Sequence, residues 1–273
     1  MLTSEQADLA ARRFIDARRN ATPVAELPAE YRPRSFDDAY LIQDAFVRRC
    51  GQKTIGYKIG CASLQSQALA GSDRPIAGRL FAESRYASPA RLEFGDYFLV
   101  GMEAEFGFVM GATLAAGPRP VGRAEVAAAV AAVVPLIEIC DTRLADWKGA
   151  GIASITADNA FHGAVVLGQP QSAWRELDLA THEATLAVDG TIVGRGTGAL
   201  VLGHPLDALA WIANFLVARG GALKAGDLVA AGTCTGLHFV HGNARVVADF
   251  GSLDRVEIQM CEPERSSSLI DKN

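Results

Sequence analysis

Apolar and polar positions along the chain change texture near residue 50. Before it, Thr3-x-x-Gln6 has the form of a capping box ahead of an apolar-periodic stretch at 7–19. Ser35-x-x-Asp38 stands similarly before 39–50, with Gly51 as a natural stop. Two helices are therefore expected, joined by the proline-containing stretch between Pro23 and Pro33. From Thr54 onward the runs are short, β-like and separated by glycine and proline: 55–61, 97–110, 136–141, 163–168, 183–188, 228–233, 244–250 and 255–261. Asp189-Gly190 between Val188 and Thr191 is a hairpin signal, and helices intervene at 123–134 and 205–219, the latter with Pro205 in its first position. These strands do not alternate regularly with helices. The pattern predicts an α+β chain built on a mixed, strongly bent sheet or roll rather than a doubly wound parallel one. Three parts are expected: a helical segment at 1–53, the β-rich body at 54–262 and a polar tail at 263–273.

One strand-like run carries an electrostatic anomaly. Alternation through Gly101–Met110 puts Met102, Ala104, Phe106, Phe108 and Met110 on one face and projects Glu103 and Glu105 together from the other. At roughly 7 Å, two such charges repel by about 2 kcal/mol at an effective dielectric of ~20. A solvated strand face accounts for the pair taken alone. Glu138 has no such account, because both alternating sets of its run, 133–140, are apolar. A buried unpaired carboxylate needs a basic partner, a raised pKa or a metal ion. An all-oxygen set suits Mg²⁺ or Mn²⁺ better than Zn²⁺.

Composition narrows the partners. The net charge of -5 and a pI near 5.6, without any basic cluster, exclude nucleic acid or an anionic membrane as the principal partner. The amino terminus lacks the features of a secretory signal, and the longest strongly apolar run, 126–137, is broken by Pro135 and too short to span a bilayer, so a cytoplasmic location is expected. Five scattered cysteines without a Cys-x-x-Cys pair read as reduced, buried small side chains.

Other residues could carry chemistry. Lys58, between apolar and glycine positions in Gly56-Tyr57-Lys58-Ile59-Gly60, could position a carboxylate or move a proton, although a stem snorkelling to water also accounts for a lone lysine. Asp158 and Asn159 read as turn formers, and His162 as a proton carrier with no identified partner. Ala231 to Gly236 is small and polar enough for a small anion to approach, and equally serves as a turn. Gly194-Arg195-Gly196-Thr197-Gly198 fits neither a P-loop nor a complete dinucleotide fingerprint, and no G-x-S-x-G or H-E-x-x-H occurs.

In order along the chain, Gly56-Tyr57-Lys58-Ile59-Gly60, Gly78-Arg79-Leu80-Phe81, Glu103-x-Glu105, Leu136-Ile137-Glu138, Asp141-Thr142-Arg143 with Asp146-Trp147, Ala157-Asp158-Asn159, Leu202-Gly203-His204-Pro205-Leu206, and Gly226-Asp227 before Gly232-Thr233 resemble the 2-keto-4-pentenoate hydratase family of the fumarylacetoacetate hydrolase superfamily. The resemblance implies a bent mixed β-roll behind a helical segment. It implies Mg²⁺ or Mn²⁺ on Glu103, Glu105 and Glu138, Lys58 as the catalytic residue, Asn159 and Thr233 at the substrate, and assembly as a homo-oligomer. The implied substrate is a small 2-oxo or 2-hydroxydienoic acid from aromatic degradation, to which water is added. Close relatives instead release CO₂ or hydrolyse acylpyruvates, the latter with an extra His and Glu pair that a chain with no histidine before His162 does not offer. One departure stands out: Pro75-Ile76-Ala77-Gly78 places Ile76 where hydratases and decarboxylases of this type carry an acid. His162 or Arg79 are the candidate replacements, and a non-catalytic 2-oxo-acid-binding protein is the alternative of another class.

Overall fold

The computed structural model describes residues 1–117 and 119–263; the expected tail from 264 onward falls outside them. In chain order the elements are α1 (Ser4–Arg19), α2 (Phe36–Cys50), β1 (Thr54–Gly60), α3 (Leu64–Ala70), β2 (Ile76–Phe81), β3 (Arg85–Ala87), β4 (Ala90–Glu93) and β5 (Gly101–Met110). There follow α4 (Arg123–Ala129), β6 (Val130–Cys140), α5 (Trp147–Ala157), β7 (His162–Leu167), β8 (Glu183–Val188), β9 (Thr191–Thr197), α6 (Pro205–Ala218), β10 (Leu228–Thr233), β11 (His238–Phe239), β12 (Ala244–Asp249) and β13 (Arg255–Cys261). One sheet runs β2-β1-β10-β5-β6-β7-β3 with β11 also on β5, and a second runs β4-β13-β12-β8-β9. Pairs β1·β10, β3·β7 and β4·β13 are parallel and the rest antiparallel, so the sheets are mixed, and the larger curls into a half-barrel as the sequence predicts.

The alternation read in β5 is the frame of the molecule. Met102, Ala104, Phe106 and Phe108 are fully buried on the face that meets the second sheet, where Phe106 lies edge-on to Phe250 at 5.4 Å between centroids. The opposite face carries Val134, Leu136, Val165, Leu228 and Ala230 as one apolar cluster, with the glutamates beyond it. Helices α1, α2 and α5 close that face: Phe14, Ile42, Ala45 and Phe46 share a cluster with Ile76, Phe81, Ile155 and Phe161. Both faces of the central strands are thus dry, which is why residues 133–140 read as continuously apolar. The stretch ending in α6 is long and apolar enough to pass for a membrane span, yet Leu206, Leu209, Ile212 and Leu216 are buried in the core.

Several boundaries differ from expectation for physical reasons. The helix expected at 123–134 stops at Ala129, because Val130, Val133 and Val134 pair with Met110, Phe108 and Gly107 of β5 and extend β6 to the full strand. The strand expected from Tyr97 begins at Gly101, since the amides of Phe98 and Leu99 donate to the Asp141 carboxylate at 3.1 and 2.9 Å instead of to a neighbouring strand. Helix α5, hidden in the sequence by Gly149 and Gly151, starts on an Asp146 cap and is kinked at Gly151, where φ is 75°. Helix α3, with a Ser63 capping box, and strands β2, β3 and β4 also went unanticipated; short elements carry little periodicity.

Asp141, fully buried, ties the helical segment to the sheet: it accepts the Phe98, Leu99 and Thr142 amides and pairs with Arg18 of α1. Asp141→Ala leaves those amides without an acceptor and Arg18 without its ion-pair partner, and is expected to cost about 3–5 kcal/mol. Urea denaturation of the variant measures this, with a loss under about 1 kcal/mol counting against the role.

Candidate active site

Strand register collects the charged residues on one face. Glu103 of β5 lies directly opposite Glu138 of β6, and Glu105 lies opposite Leu136 on one side and Thr233 of β10 on the other. Lys58 of β1 shares this face through its pairing with Ala230 and Gly78. Its ammonium sits 3.0 Å from Glu138 Oε2 and donates to the Ala160 carbonyl at 2.9 Å. His162 Nδ1 lies 3.2 Å from Glu138 Oε1, and its Nε2 lies 3.2 Å from the Ser84 hydroxyl. The backbone amide of Gly232 donates to Glu105 Oε2 at 2.8 Å, and the Cys140 thiol donates to Glu103 Oε2 at 3.3 Å.

The turn that supplies the Ala160 carbonyl is strained and held from several sides. Asn159, Ala160 and Phe161 have φ of 55, 53 and 69°, a left-handed run that costs roughly 1–2 kcal/mol per residue. Asp158 anchors its start through the Arg143 guanidinium at 3.0 Å, the Arg143 amide at 2.7 Å and the Thr142 hydroxyl at 2.8 Å. Asn159 locks it to β2, accepting the Arg79 amide at 2.7 Å and donating to the Arg79 carbonyl at 2.9 Å. Gly78 permits this approach, for a Cβ there would stand 2.6 Å from the Asn159 oxygen.

Charge is unbalanced within this shell. Burial disfavours a charged Lys58, but the carboxylates of Glu138 and, more weakly, Glu103 and Glu105 outweigh it and raise its pKa. Burial likewise pushes Glu138 upward, and Lys58 and His162 overcome it, so this carboxyl stays below its usual value. The other two have no such compensation. Burial pushes Glu103 up to about 7, against the pull of Lys58, and drives Glu105 well above the carboxylate range, with Glu138 and Glu103 adding to the rise. Burial lowers His162, leaving it the neutral partner of Glu138. Glu105 Oε1 has no hydrogen-bond partner, and Glu138 Oε2 has only the Lys58 ammonium, at an angle unsuited to a hydrogen bond. Two orphaned buried carboxylate oxygens beside a partly neutralised cluster fit a divalent cation. Ligand atoms of Glu103, Glu138 and Cys140 all lie within 4.8 Å of one another.

A cavity of about 130 Å³ opens onto this shell, lined by Lys58, Glu103, Cys140 and Thr233 at its polar end. Ile76 lines it too, so the position without an acid faces the chemistry. Neither expected replacement for that acid does so: Arg79 stacks on Tyr57 at 4.6 Å and lies 3.5 Å from Asp44, while His162 opens on a separate cavity behind Glu138. Asn159, expected at the substrate, is fully buried with both ends of its amide spent on Arg79. Thr233 reaches the cavity, its oxygen accepting the amides of Thr235 and Gly236 at 3.3 and 2.9 Å. Cys140, expected as a small buried side chain, also faces this shell, and its place two residues beyond Glu138 in the strand is the signal of the shared face.

The family model for the fumarylacetoacetate (FAA) hydrolase C-terminal region matches residues 67–265. The chain is 35% identical over 234 residues to the 2-keto-4-pentenoate hydratase of Paraburkholderia xenovorans (strain LB400), covering 85% of this chain and 86% of that protein. It is 34% identical over 226 residues to the 2-hydroxyhexa-2,4-dienoate hydratase of Comamonas testosteroni, covering 81% and 84%. Among solved structures, 4-oxalocrotonate decarboxylase from Pseudomonas putida G7, complexed with magnesium and adipate, superposes with a TM-score of 0.88 at 29% identity, over 95% of this chain and 99% of that one.

Replacing Glu105 by Gln keeps its shape and removes a group whose charged form burial and the neighbouring carboxylates disfavour. The metal-free Glu105→Gln variant is expected to melt no lower than the parent, while its Mg²⁺ or Mn²⁺ affinity falls beyond the roughly 10–100-fold that loss of an outer-shell partner costs. Cys140→Ser, which leaves the oxygen ligands in place, should keep Mg²⁺ affinity within about threefold. Titration calorimetry and thermal unfolding read both; unchanged affinity in Glu105→Gln removes this residue from the ligand set.

Proposed function

The chain belongs to the fumarylacetoacetate hydrolase C-terminal family, and from that premise we propose that it is a divalent-metal-dependent hydro-lyase adding water to a small 2-oxo-alkenoate or 2-hydroxydienoate. The observation that carries this reading is the carboxylate shell with orphaned buried oxygens, opening through Lys58 and Glu103 onto a cavity of about 130 Å³. Glu103, Glu105 and Glu138 would hold Mg²⁺ or Mn²⁺, which supplies a Lewis acid for the carboxylate and 2-oxygen of a 2-oxo acid and so favours its enolate.

The side chains present divide the remaining work. An ammonium has three donors, and Lys58 commits one to the Ala160 carbonyl while its charge is paired with Glu138, which leaves donor capacity for a substrate carboxylate. Held from both sides in a buried position, it places that carboxylate without reorganising. Thr233 lines the same end, its hydroxyl donating to the Gly236 carbonyl at 3.2 Å and so holding the Thr233–Gly236 turn against the cavity. The strained turn keeps the Ala160 carbonyl fixed under the ammonium and brings Phe161 to the cavity wall. Glu138 is steadied by His162 from behind and cannot swing towards the substrate.

Decarboxylation of a related 2-oxo acid is the second reading; it would use the same electron sink, and Ile76 can neither donate nor accept a proton in either reaction. The superposition on 4-oxalocrotonate decarboxylase is consistent with that chemistry.

A panel of 2-oxo-alkenoic and 2-hydroxydienoic acids, followed by loss of ultraviolet absorbance with CO₂ measured in parallel at saturating Mn²⁺, separates these readings. Absorbance loss without CO₂ is expected. Stoichiometric CO₂ transfers the assignment to decarboxylation, and no turnover of any member leaves a 2-oxo-acid-binding protein. Lys58→Met is expected to lower kcat/KM by roughly 100-fold or more while metal affinity changes little. Parental kinetics in that variant return Lys58 to a structural role.

A further inference from the structure

The cavity is charged at one end only. Its charged and thiol groups are Lys58, Glu103 and Cys140, with Thr233 beside them; Ile76, Ile155, Phe161, Trp147, Leu237 and Leu69 give an apolar wall, and Ser63, Gln65 and Ser66 add neutral polar groups. Trp147 and Phe161 meet edge-to-face at 5.1 Å between centroids and 79° between planes, forming a rigid aromatic surface. Ile76 stands where this wall begins. It is paired with Gly60, and a Cβ on that glycine would lie 3.0 Å from Ile76 Cγ1 and 3.7 Å from Lys58 Nζ, so the apolar surface starts beside the ammonium.

No second cation faces the cavity among the described residues. Lys58 is the single Lys, Arg or His in the lining, and its charge is already shared with Glu138. Arg143 is turned to Asp158 and Arg79 to Asp44. The polar groups on α3 are neutral: Ser63 and Ser66 bond to each other at 2.9 Å, and Gln65 is an exposed amide. A carboxylate carried beyond C3 of a bound 2-oxo acid would therefore lose its water against isoleucine, tryptophan and phenylalanine with no counter-charge. An alkyl or unsaturated hydrocarbon tail would bury favourably in the same place.

We propose that this wall, with Ile76 as a specificity-determining residue, selects 2-oxo acids whose far end is uncharged and apolar, and rejects dicarboxylates of the same length. The proposal rests on the reading that the glutamate and lysine end receives the 2-oxo-acid head, and it adds which tail that head carries.

The test is equilibrium binding of two six-carbon probes, 2-oxohexanoate and 2-oxoadipate, which differ by a terminal methyl against a terminal carboxylate. Calorimetry on the full chain at saturating Mg²⁺ should show 2-oxohexanoate binding at least about tenfold more tightly. Ile76→Lys should shrink or reverse that ratio by supplying the missing cation. Leu69→Arg, on a half-exposed residue of α3, should shift it in the same direction and serves if the buried lysine prevents folding. Equal or tighter binding of 2-oxoadipate by the parent overturns the proposal, as does a ratio that neither variant moves. Binding of neither probe overturns both the proposal and the functional reading beneath it. A tenfold preference in a protein that turns over no member of the substrate panel supports the selective wall and defeats the catalytic reading alone.

Discussion

The burial of Glu138 against Lys58, with two further carboxylates on the same dry face, is the constraint around which the rest of the molecule is arranged. The Lys58 ammonium and the Glu138 carboxylate stand 3.0 Å apart with both side chains almost wholly out of water. Such a pair is tolerable only if every remaining donor and acceptor around it is served. The strained left-handed turn at Asn159 to Phe161 serves the ammonium through Ala160, and His162 serves the carboxylate. The Arg143–Asp158 and Arg18–Asp141 pairs hold that turn and the helices that seal it. What this framework leaves unserved is as informative: one oxygen of Glu105 and one of Glu138 remain without hydrogen bonds, in a shell whose charge a dication would balance.

Much of this was legible in the chain because strand periodicity is strict. Alternation alone placed Glu103 and Glu105 together, and the apolar setting of Glu138 required its burial; the register then sets Glu103 directly against Glu138. Lys58 was found by the same logic, a cation in a strand with no polar face, although its pairing with Glu138 depends on strands 80 residues apart in sequence and has no local signature. The mixed sheet followed from irregular spacing of strands and helices.

What could not be read depended on tertiary contacts that override local signals. Residues 130–134 have helical neighbours, and only the β5 ladder extends them. Asn159 resembles a ligand-binding amide in sequence, and only the approach of β2 through Gly78 shows both its ends spent on Arg79. Trp147 and Phe161 gave no sign that they would meet across one cavity, because α5 was obscured by its glycines and the turn before β7 by its unusual backbone. The substitution at Ile76 was visible, but its consequence was not: in the fold it turns from a missing acid into the start of an apolar wall. Sequence therefore pointed to the charged residues, and the structure set the apolar wall beside them.

The most direct measurement of the account is anomalous X-ray scattering from crystals of the full chain grown with Mn²⁺ and 2-oxohexanoate. A single strong manganese peak bounded by the carboxylates of Glu103, Glu105 and Glu138, with the acid's carboxylate on the Lys58 side, is the predicted result. A manganese peak elsewhere, or none at saturating metal with these three side chains unmoved, would contradict it.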